Sequence, residues 1–354
     1  MYRVVRIILI SYLFFEACTS SQTLSKGRNE QNRPVEVLRP DYRVMFYNVE
    51  NLFDPFNDTL TNDDEFLPQG IRNWSWERYR KKCIAIGKVI VAVGGEEAPE
   101  LVGLCEVENR FVLEGIVRYG PLVKLGYEIV HRDSPDHRGI DVALLYQPER
   151  FRLLSHHFFP VYYKNQTQSK TREILYAKGI TMTEDTLHVF VNHWPSRWGG
   201  QLESEHKRLA AATTLRSRLD SLWQRNSDSQ IIVMGDFNDY PQNTSLSKVL
   251  NAGRPILNSG RKLYNLAMDW DYGGSHKYQG HWGMLDQILV THSILKGKGI
   301  LQCEASDFHV FQAPYLLEED PTYLGRKPFR TYFGYKYQGG FSDHLPVYLD
   351  LWRK

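Results

Sequence analysis

The chain has 354 residues, of which 42% are hydrophobic, 24% charged and 13% aromatic, with 21 Tyr and 8 Trp. This is an ordinary globular composition, long enough for one large domain or two small ones, and it excludes a disordered or low-complexity chain. With 43 basic and 41 acidic residues the formal charge is only +2, so no global field draws in polyanions, and any nucleic-acid contact would have to use a local basic patch.

The first eighteen residues read as an export signal. Arg3 and Arg6 form a small basic region, and Ile7 to Phe15 is an apolar run too short to span a bilayer. Ala17-Cys18 follows in the position of a lipoprotein cleavage site, although Phe15 and Glu16 stand where smaller residues are usual. A lipidated Cys18 is the expectation, with a signal peptide cut elsewhere as the alternative. Residues 19–40 are polar and suit a flexible tether. The remaining cysteines, Cys83, Cys105 and Cys303, are too few for a disulfide framework and read as small buried hydrophobes.

From residue 41 to 354 there is no second linker, tract or repeat, so a single domain is expected, and a monomer. Short apolar runs at Val44 to Tyr47, Leu101 to Cys105, Val142 to Tyr146, Leu187 to Val191, Ile231 to Met234 and Leu285 to Val290 predict strands. Trp76, Tyr79, Cys83, Ile86, Ile90 and Val93 recur at helical spacing, as do Leu209, Ala212, Leu215, Leu219 and Leu222. Several strands with few long helices imply sheets packed on each other with helices outside. The stretch from Ala313 to Gly340, rich in Tyr, Gly and Pro, predicts a long loop bearing on substrate choice.

Four apolar runs end in residues able to bind metal or move protons: Asn48, Glu106, Asn192-His193 and Asp236. Polar residues commonly finish strands, but four such endings with this chemistry favour one shared rim at the C-terminal ends of neighbouring strands.

Six segments carry a family likeness: Tyr47-Asn48-Val49-Glu50-Asn51, Cys105-Glu106-Val107-Glu108-Asn109, Val191-Asn192-His193-Trp194-Pro195, Gly235-Asp236-Phe237-Asn238-Asp239, Leu285-Asp286-Gln287-Ile288 and Ser342-Asp343-His344-Leu345-Pro346. In this order they resemble the endonuclease/exonuclease/phosphatase superfamily, over nearly the whole chain from Tyr42 to Leu351. Arg138 to Tyr146 looks like that superfamily's central strand, and the stretch from Asn192 to Gly200 with Arg208 looks like a bacterial exported branch. The resemblance implies a deoxyribonuclease-I-like α/β fold, a four-layer α/β/β/α sandwich of two packed mixed sheets with outer helices. It implies a metal-dependent phosphoesterase, most simply a nuclease that cuts phosphodiesters by in-line attack of water; a phospholipid or sugar-phosphate esterase is the alternative.

The chemistry needs a hard cation on oxygen ligands to relieve the phosphate's negative charge, so Mg²⁺ is expected, with Mn²⁺ as a substitute. Glu106 is the leading direct ligand, with Asn48 and Asp343 completing the site directly or through water; Glu50 could hold an outer water. By resemblance Asp236 aligns or deprotonates the attacking water and Asn238 fixes it. His344, held by Asp286, would act as base or as a charged clamp, and His193 would protonate or stabilise the leaving oxygen, with Asp141 able to orient it. Asn192 and Arg197 are candidate substrate contacts, as is Arg208, and Trp194 and Trp198 could stack on a base or sugar. A non-catalytic envelope binding module is disfavoured because every member of the constellation is present.

Overall fold

A computed structural model describes residues 39–164, 167–254, 262–295 and 297–354. The export signal and all but the last residues of the tether lie outside the described residues. Pro40–Lys354 form one compact unit.

The described elements run in chain order as β1 (Tyr42–Leu52), α1 (Trp76–Gly94), β2 (Leu101–Val107), α2 (Arg110–Arg118), β3 (Glu128–His131), β4 (Asp141–Tyr146), β5 (Phe151–Phe159), β6 (Ile174–Thr181) and β7 (Thr186–His193). They continue with α3 (Gln201–Arg225), β8 (Gln230–Asp236), β9 (Ala252–Gly253), β10 (Leu263–Asn265), β11 (Asp286–Thr291), β12 (Leu301–Gln302), β13 (Phe308–Val310) and β14 (Val347–Arg353). One seven-stranded sheet has the order β12-β14-β1-β2-β4-β3, with β13 also paired to β14; the other has the order β5-β6-β7-β8-β11-β10-β9. Both mix parallel pairs, such as β1 with β2 and β7 with β8, and antiparallel ones.

Period-two alternation makes the layers. In β7, Leu187, Val189 and Val191 join the core between the sheets, whereas Phe190 points the other way, onto Ala211, Ala212, Leu215 and Leu219 of α3. In β8, Ile232 and Met234 face inward and Ile231 and Val233 face α3. On the far side of the first sheet, Tyr79, Cys83, Ile86, Ile90 and Val93 of α1 and Val112, Leu113 and Ile116 of α2 cover β1 and β2. The result is the expected helix, sheet, sheet, helix sandwich. The sheets touch closely at Gly103 of β2, where a Cβ would lie 2.8 Å from the Cε of Met234 and 3.2 Å from Phe46; only glycine leaves that space.

The helices start where their sequences provide caps. Ser75 accepts a hydrogen bond from the Arg78 amide at 3.3 Å, and Asn109 accepts one from Val112 at 3.1 Å. Gly95, at φ +73, ends α1 in a conformation that a side chain would strain.

Residues 313–340 differ from the irregular loop expected. They fold into two short hairpins, Leu317–Glu319 with Arg326–Pro328 and Tyr332–Phe333 with Lys336–Tyr337. Their tyrosines and prolines are partly packing residues, since Tyr332 joins the main core and Tyr337 packs on it.

Candidate active site

Four strands deliver the site from their C-terminal ends. β1 brings Asn48 and Glu50, β2 brings Glu106, β7 brings His193 and β8 brings Asp236; β11 begins at Asp286, paired with Asp236 across the ladder. The Ser342-Asp343-His344 turn, just before β14, closes the ring: Ser342 Oγ donates to the Asn48 carbonyl at 2.7 Å and accepts from the His344 amide at 3.0 Å.

The strands have to leave their ladders to do this. Glu106 and Val107 together oppose Asp141, a β-bulge, and Glu106 takes φ +61. Glu50, Asn51 and Asn238 also lie at positive φ. Left-handed backbone outside glycine costs roughly 1–2 kcal/mol per residue, and strain of this kind gathers where a site needs a side chain aimed off the sheet.

Asp236 is the hub. Its Oδ2 lies 3.1 Å from Asn48 Nδ2, 3.8 Å from His193 Nε2 and 3.9 Å from His344 Nε2, and its Oδ1 accepts the Asn238 amide at 2.9 Å. His344 Nδ1 donates to Asp286 Oδ2 at 2.6 Å. Burial works against its charge, but Asp286, Asp236 and Asp343 outweigh it and hold the imidazolium well above the ordinary range. His193 is driven the other way, first by burial and then by Arg172, Arg138 and His344, so it is a neutral imidazole. Of its two expected roles, the electrostatics favour a hydrogen bond to the leaving oxygen over full proton donation. Burial raises Asp236 to about 7 against the pull of His344, which places it where a proton acceptor works at neutral pH. Buried atoms without partners, His193 Nδ1 and Asp286 Oδ1, remain within this cluster.

Glu106 shows the clearest demand for a cation. Oε2 accepts the Asn51 amide at 2.9 Å, Asn48 Nδ2 lies 3.4 Å from Oε1, and the nearest basic group among the described residues is the neutral His193, 3.8 Å away. Around it the carboxylates of Glu50, Asp236, Asp286 and Asp343 meet, among the described residues, only Arg330, Lys82 and His344 as counter-charges. A set of oxygen donors with surplus negative charge fits a hard divalent cation, with Glu106 and Asp343 as the residues to hold it. Two groups bring their ligand atoms within 4.8 Å of one another, Asp236–Asp286–His344 and His276–Asp343–His344. A third is His131–Asp133–Asp141.

Other expected residues are placed differently. Asn48 turns its amide nitrogen, not its oxygen, toward Glu106 and Asp236, because Oδ1 accepts the Glu50 amide at 3.0 Å. It braces the carboxylates rather than offering a ligand oxygen. Asn192 is 0% exposed; it receives the Trp194 indole at 3.2 Å and donates to the Met234 carbonyl at 3.3 Å, so it does not face substrate. Arg197 reaches the Asn238 carbonyl at 2.8 Å, with Asp239 and Asn243 beyond, so it props the Asp236–Asp239 turn from behind. Arg208 is fully buried beside Asp239 at 2.8 Å and cannot meet a phosphate. Asp141 pairs with His131 at 3.2 Å, not with His193. Trp194 packs on Phe237 inside the core beneath α3, and only Trp198, 91% exposed, is free to stack.

Four residues escaped sequence reading. Arg330 pairs with Asp343 at 2.8 Å and Glu50 at 3.3 Å. The next residue, Thr331, donates its amide to Glu50 at 2.6 Å. Glu50 thus clips the 313–340 segment onto β1, with Lys82 of α1 bonding Thr331 Oγ1 and the Phe341 carbonyl, the latter at 2.6 Å. His276 lies against His344, ring centroids 4.6 Å apart. Only Arg330 and Thr331 gave a signal, through their place in the segment expected to bear on substrate.

The sequence profile of the Endonuclease/Exonuclease/phosphatase family matches residues 43–353. No curated protein matches the chain in sequence. Among solved structures, the chain is similar to a Bacteroides thetaiotaomicron mannosyl-6-phosphatase, with 15% identity, a TM-score of 0.57 and coverage of 88% of this chain and 99% of that one. It is also similar to the human nocturnin catalytic domain with bound sulfate, with 18% identity, TM-score 0.52 and coverage of 90% and 96%. A third similar structure is D. rerio TDP2 in complex with a single-strand DNA product, with 12% identity, TM-score 0.52 and coverage of 88% and 98%. At these identities the likeness concerns the fold.

Proposed function

Because the chain belongs to the endonuclease/exonuclease/phosphatase family, and so to its phosphoric ester hydrolases, we propose that it is a Mg²⁺-dependent phosphodiesterase acting on nucleic acid. The observation that carries this reading is the ring in which His193 Nε2 lies 3.8 Å from both Glu106 and Asp236 and His344 Nε2 lies 3.9 Å from the same Asp236 oxygen, with one imidazole held neutral and the other charged.

Glu106 and Asp343 would hold the cation, and Asn48 keeps Glu106 in place. When bound, the cation neutralises phosphate charge. The chain's own groups do the rest. Asp236 takes the proton of the attacking water, and Asn238 fixes the carboxylate through its amide. The His344 imidazolium, locked by Asp286, sets positive charge against the phosphate oxygens. Neutral His193 donates a hydrogen bond to the leaving oxygen. The exposed aromatics Tyr272 and Tyr278, with Trp198, offer stacking surfaces for bases. The sugar-phosphate alternative rests on the mannosyl-6-phosphatase neighbour.

The test is a panel of DNA, RNA, bis-p-nitrophenyl phosphate, mannose 6-phosphate, sphingomyelin and phosphoinositides, each with Mg²⁺ and with excess EDTA. Nucleic acid is expected to be cut fastest, and only with the metal. Full hydrolysis in EDTA, or a sugar phosphate cut faster than DNA and RNA, overturns the reading.

We further propose that the protein is exported and held at the envelope by a lipidated Cys18, since the basic residues, apolar run and Ala17-Cys18 stand in the order a lipoprotein signal requires. Mass spectrometry of membrane-derived protein is expected to give an acylated Cys18 at the N-terminus; an unacylated N-terminus beyond it rules the anchor out.

A further inference from the structure

Beside the Glu106 ring lies a cavity of about 160 Å³ lined by Glu50, Asn51, Phe66, Arg72, Arg330 and Tyr332, with Gly334 at its edge. It is contiguous with the site: the Asn51 amide is bonded to Glu106, and Arg330 to Asp343. Its size is well below the ~300–1,000 Å³ of pockets that take a whole small molecule, so it suits one substituent of a larger substrate.

Two guanidinium groups define its chemistry. Arg72 Nε pairs with Glu65 at 2.9 Å and Nη1 donates to the Gly334 carbonyl at 2.8 Å, and its guanidinium carbon lies 4.9 Å from the Phe66 ring centre and 5.1 Å from that of Tyr332. That leaves Nη2 without a partner among the described residues. Arg330 spends Nε on Glu50 and Nη2 on Asp343, leaving Nη1. Both side chains are only partly exposed, 19% and 36%, and each is fixed by its other bonds, so the two free N–H edges need no reordering to receive a ligand. The one acid in the lining, Glu50, is buried and already occupied by Arg330 and the Thr331 amide. The pocket therefore presents spare donors and no spare acceptor charge. It would reject a cationic headgroup such as choline and accept an anion.

We infer that this pocket is a subsite for a second phosphate of the substrate, the one that flanks the scissile phosphate along a nucleic-acid strand. The inference rests on the diesterase reading and sharpens it: the preferred substrate carries at least two phosphates in sequence, and a lone diester binds less well.

Thymidine 5′-(p-nitrophenyl phosphate) with and without a 3′-phosphate, and the 3′-(p-nitrophenyl phosphate) with and without a 5′-phosphate, separate the two ideas. In one of the series the flanking phosphate is expected to lower KM by on the order of tenfold, the scale of charge-assisted hydrogen bonds. Arg72→Gln should bring that ratio close to one. A wild-type ratio near one in both series overturns the subsite while leaving the diesterase reading intact. If no member of either series is cut with Mg²⁺, the diesterase reading itself fails. Calorimetry on the wild-type protein needs neither turnover nor a folded variant: thymidine 3′,5′-bisphosphate should bind on the order of tenfold tighter than either thymidine monophosphate, and equal affinities overturn the inference.

Discussion

Replacing His344 with alanine should slow hydrolysis of a diester with a poor leaving group by at least on the order of a hundredfold, the usual scale for a positioned proton donor or charge partner. The ring is held by a 2.6 Å bond to Asp286 and kept charged by three carboxylates, so its loss removes a fixed positive charge. Asp286→Asn should give a milder form of the same defect, because the amide still orients the ring but no longer favours its charge. His193→Ala should cost a similar factor on natural diesters, since its Nε2 and that of His344 stand 3.8 and 3.9 Å from the same Asp236 oxygen. The two should part company on a p-nitrophenyl diester. That leaving group needs little help, so the His193 defect should shrink while the His344 defect persists. Single-turnover rates on both substrates, with melting curves to show intact folding, decide this. A well-folded His193→Ala enzyme with normal rates on natural diesters would show that His193 lies outside the chemistry.

Glu106→Gln should raise the Mg²⁺ concentration for half-maximal activity by at least on the order of tenfold, the range seen when a metal site loses part of its ligand environment. The change is close to isosteric, and the glutamine oxygen can still accept the Asn51 amide that Glu106 now holds at 2.9 Å, so the bulge should survive. What disappears is one negative charge from a group that faces no charged partner nearer than the neutral His193. Direct Mn²⁺ binding, followed by electron paramagnetic resonance, gives a readout independent of turnover. An unchanged affinity in both measurements would mean that the cation is held elsewhere in the ring.

Much of the site was readable because it obeys a strand rule. Asn48, Glu106, His193 and Asp236 finish apolar runs, and parallel pairing of β1 with β2 and of β7 with β8 puts those ends side by side. Asn192 was misread by ignoring parity within the same run. It shares a face with Phe190 and Trp194, which lie beneath α3, whereas His193 shares one with Val189 and Val191; alternation alone could have separated them. β5 escaped because its Phe151–Phe159 segment is largely solvent-facing and lacks a clean apolar pattern, as expected of an edge. The Arg330–Glu50 pair joins residues 280 positions apart, and no local spacing encodes such a contact. Arg208 was misread for a related reason: its partner Asp239 comes from another element, and only the fold shows that the arginine is buried.

The bulge that carries Glu106 bears on how such a protein can change over evolutionary time. The ladder between β1 and β2 is regular from Val44 to Asn48 and then slips, so that Leu52 next meets Val107. Val49, Leu52 and Val107 beyond the regular part are still buried in the core, whereas Glu50 and Asn51 between them are surplus to the sheet's pairing. They sit at positive φ and contribute strain instead of cohesion, so selection for stability alone would straighten or shorten them. Their strain is stability forgone for chemistry. Because they lie beyond the last regular rung, Glu50 and Asn51 are free of the ladder and are spent on the site, Glu50 on the Thr331 amide and Asn51 on Glu106. One sandwich can thus carry different chemistry on a few residues at its rim while the paired rungs of its two sheets stay as they are.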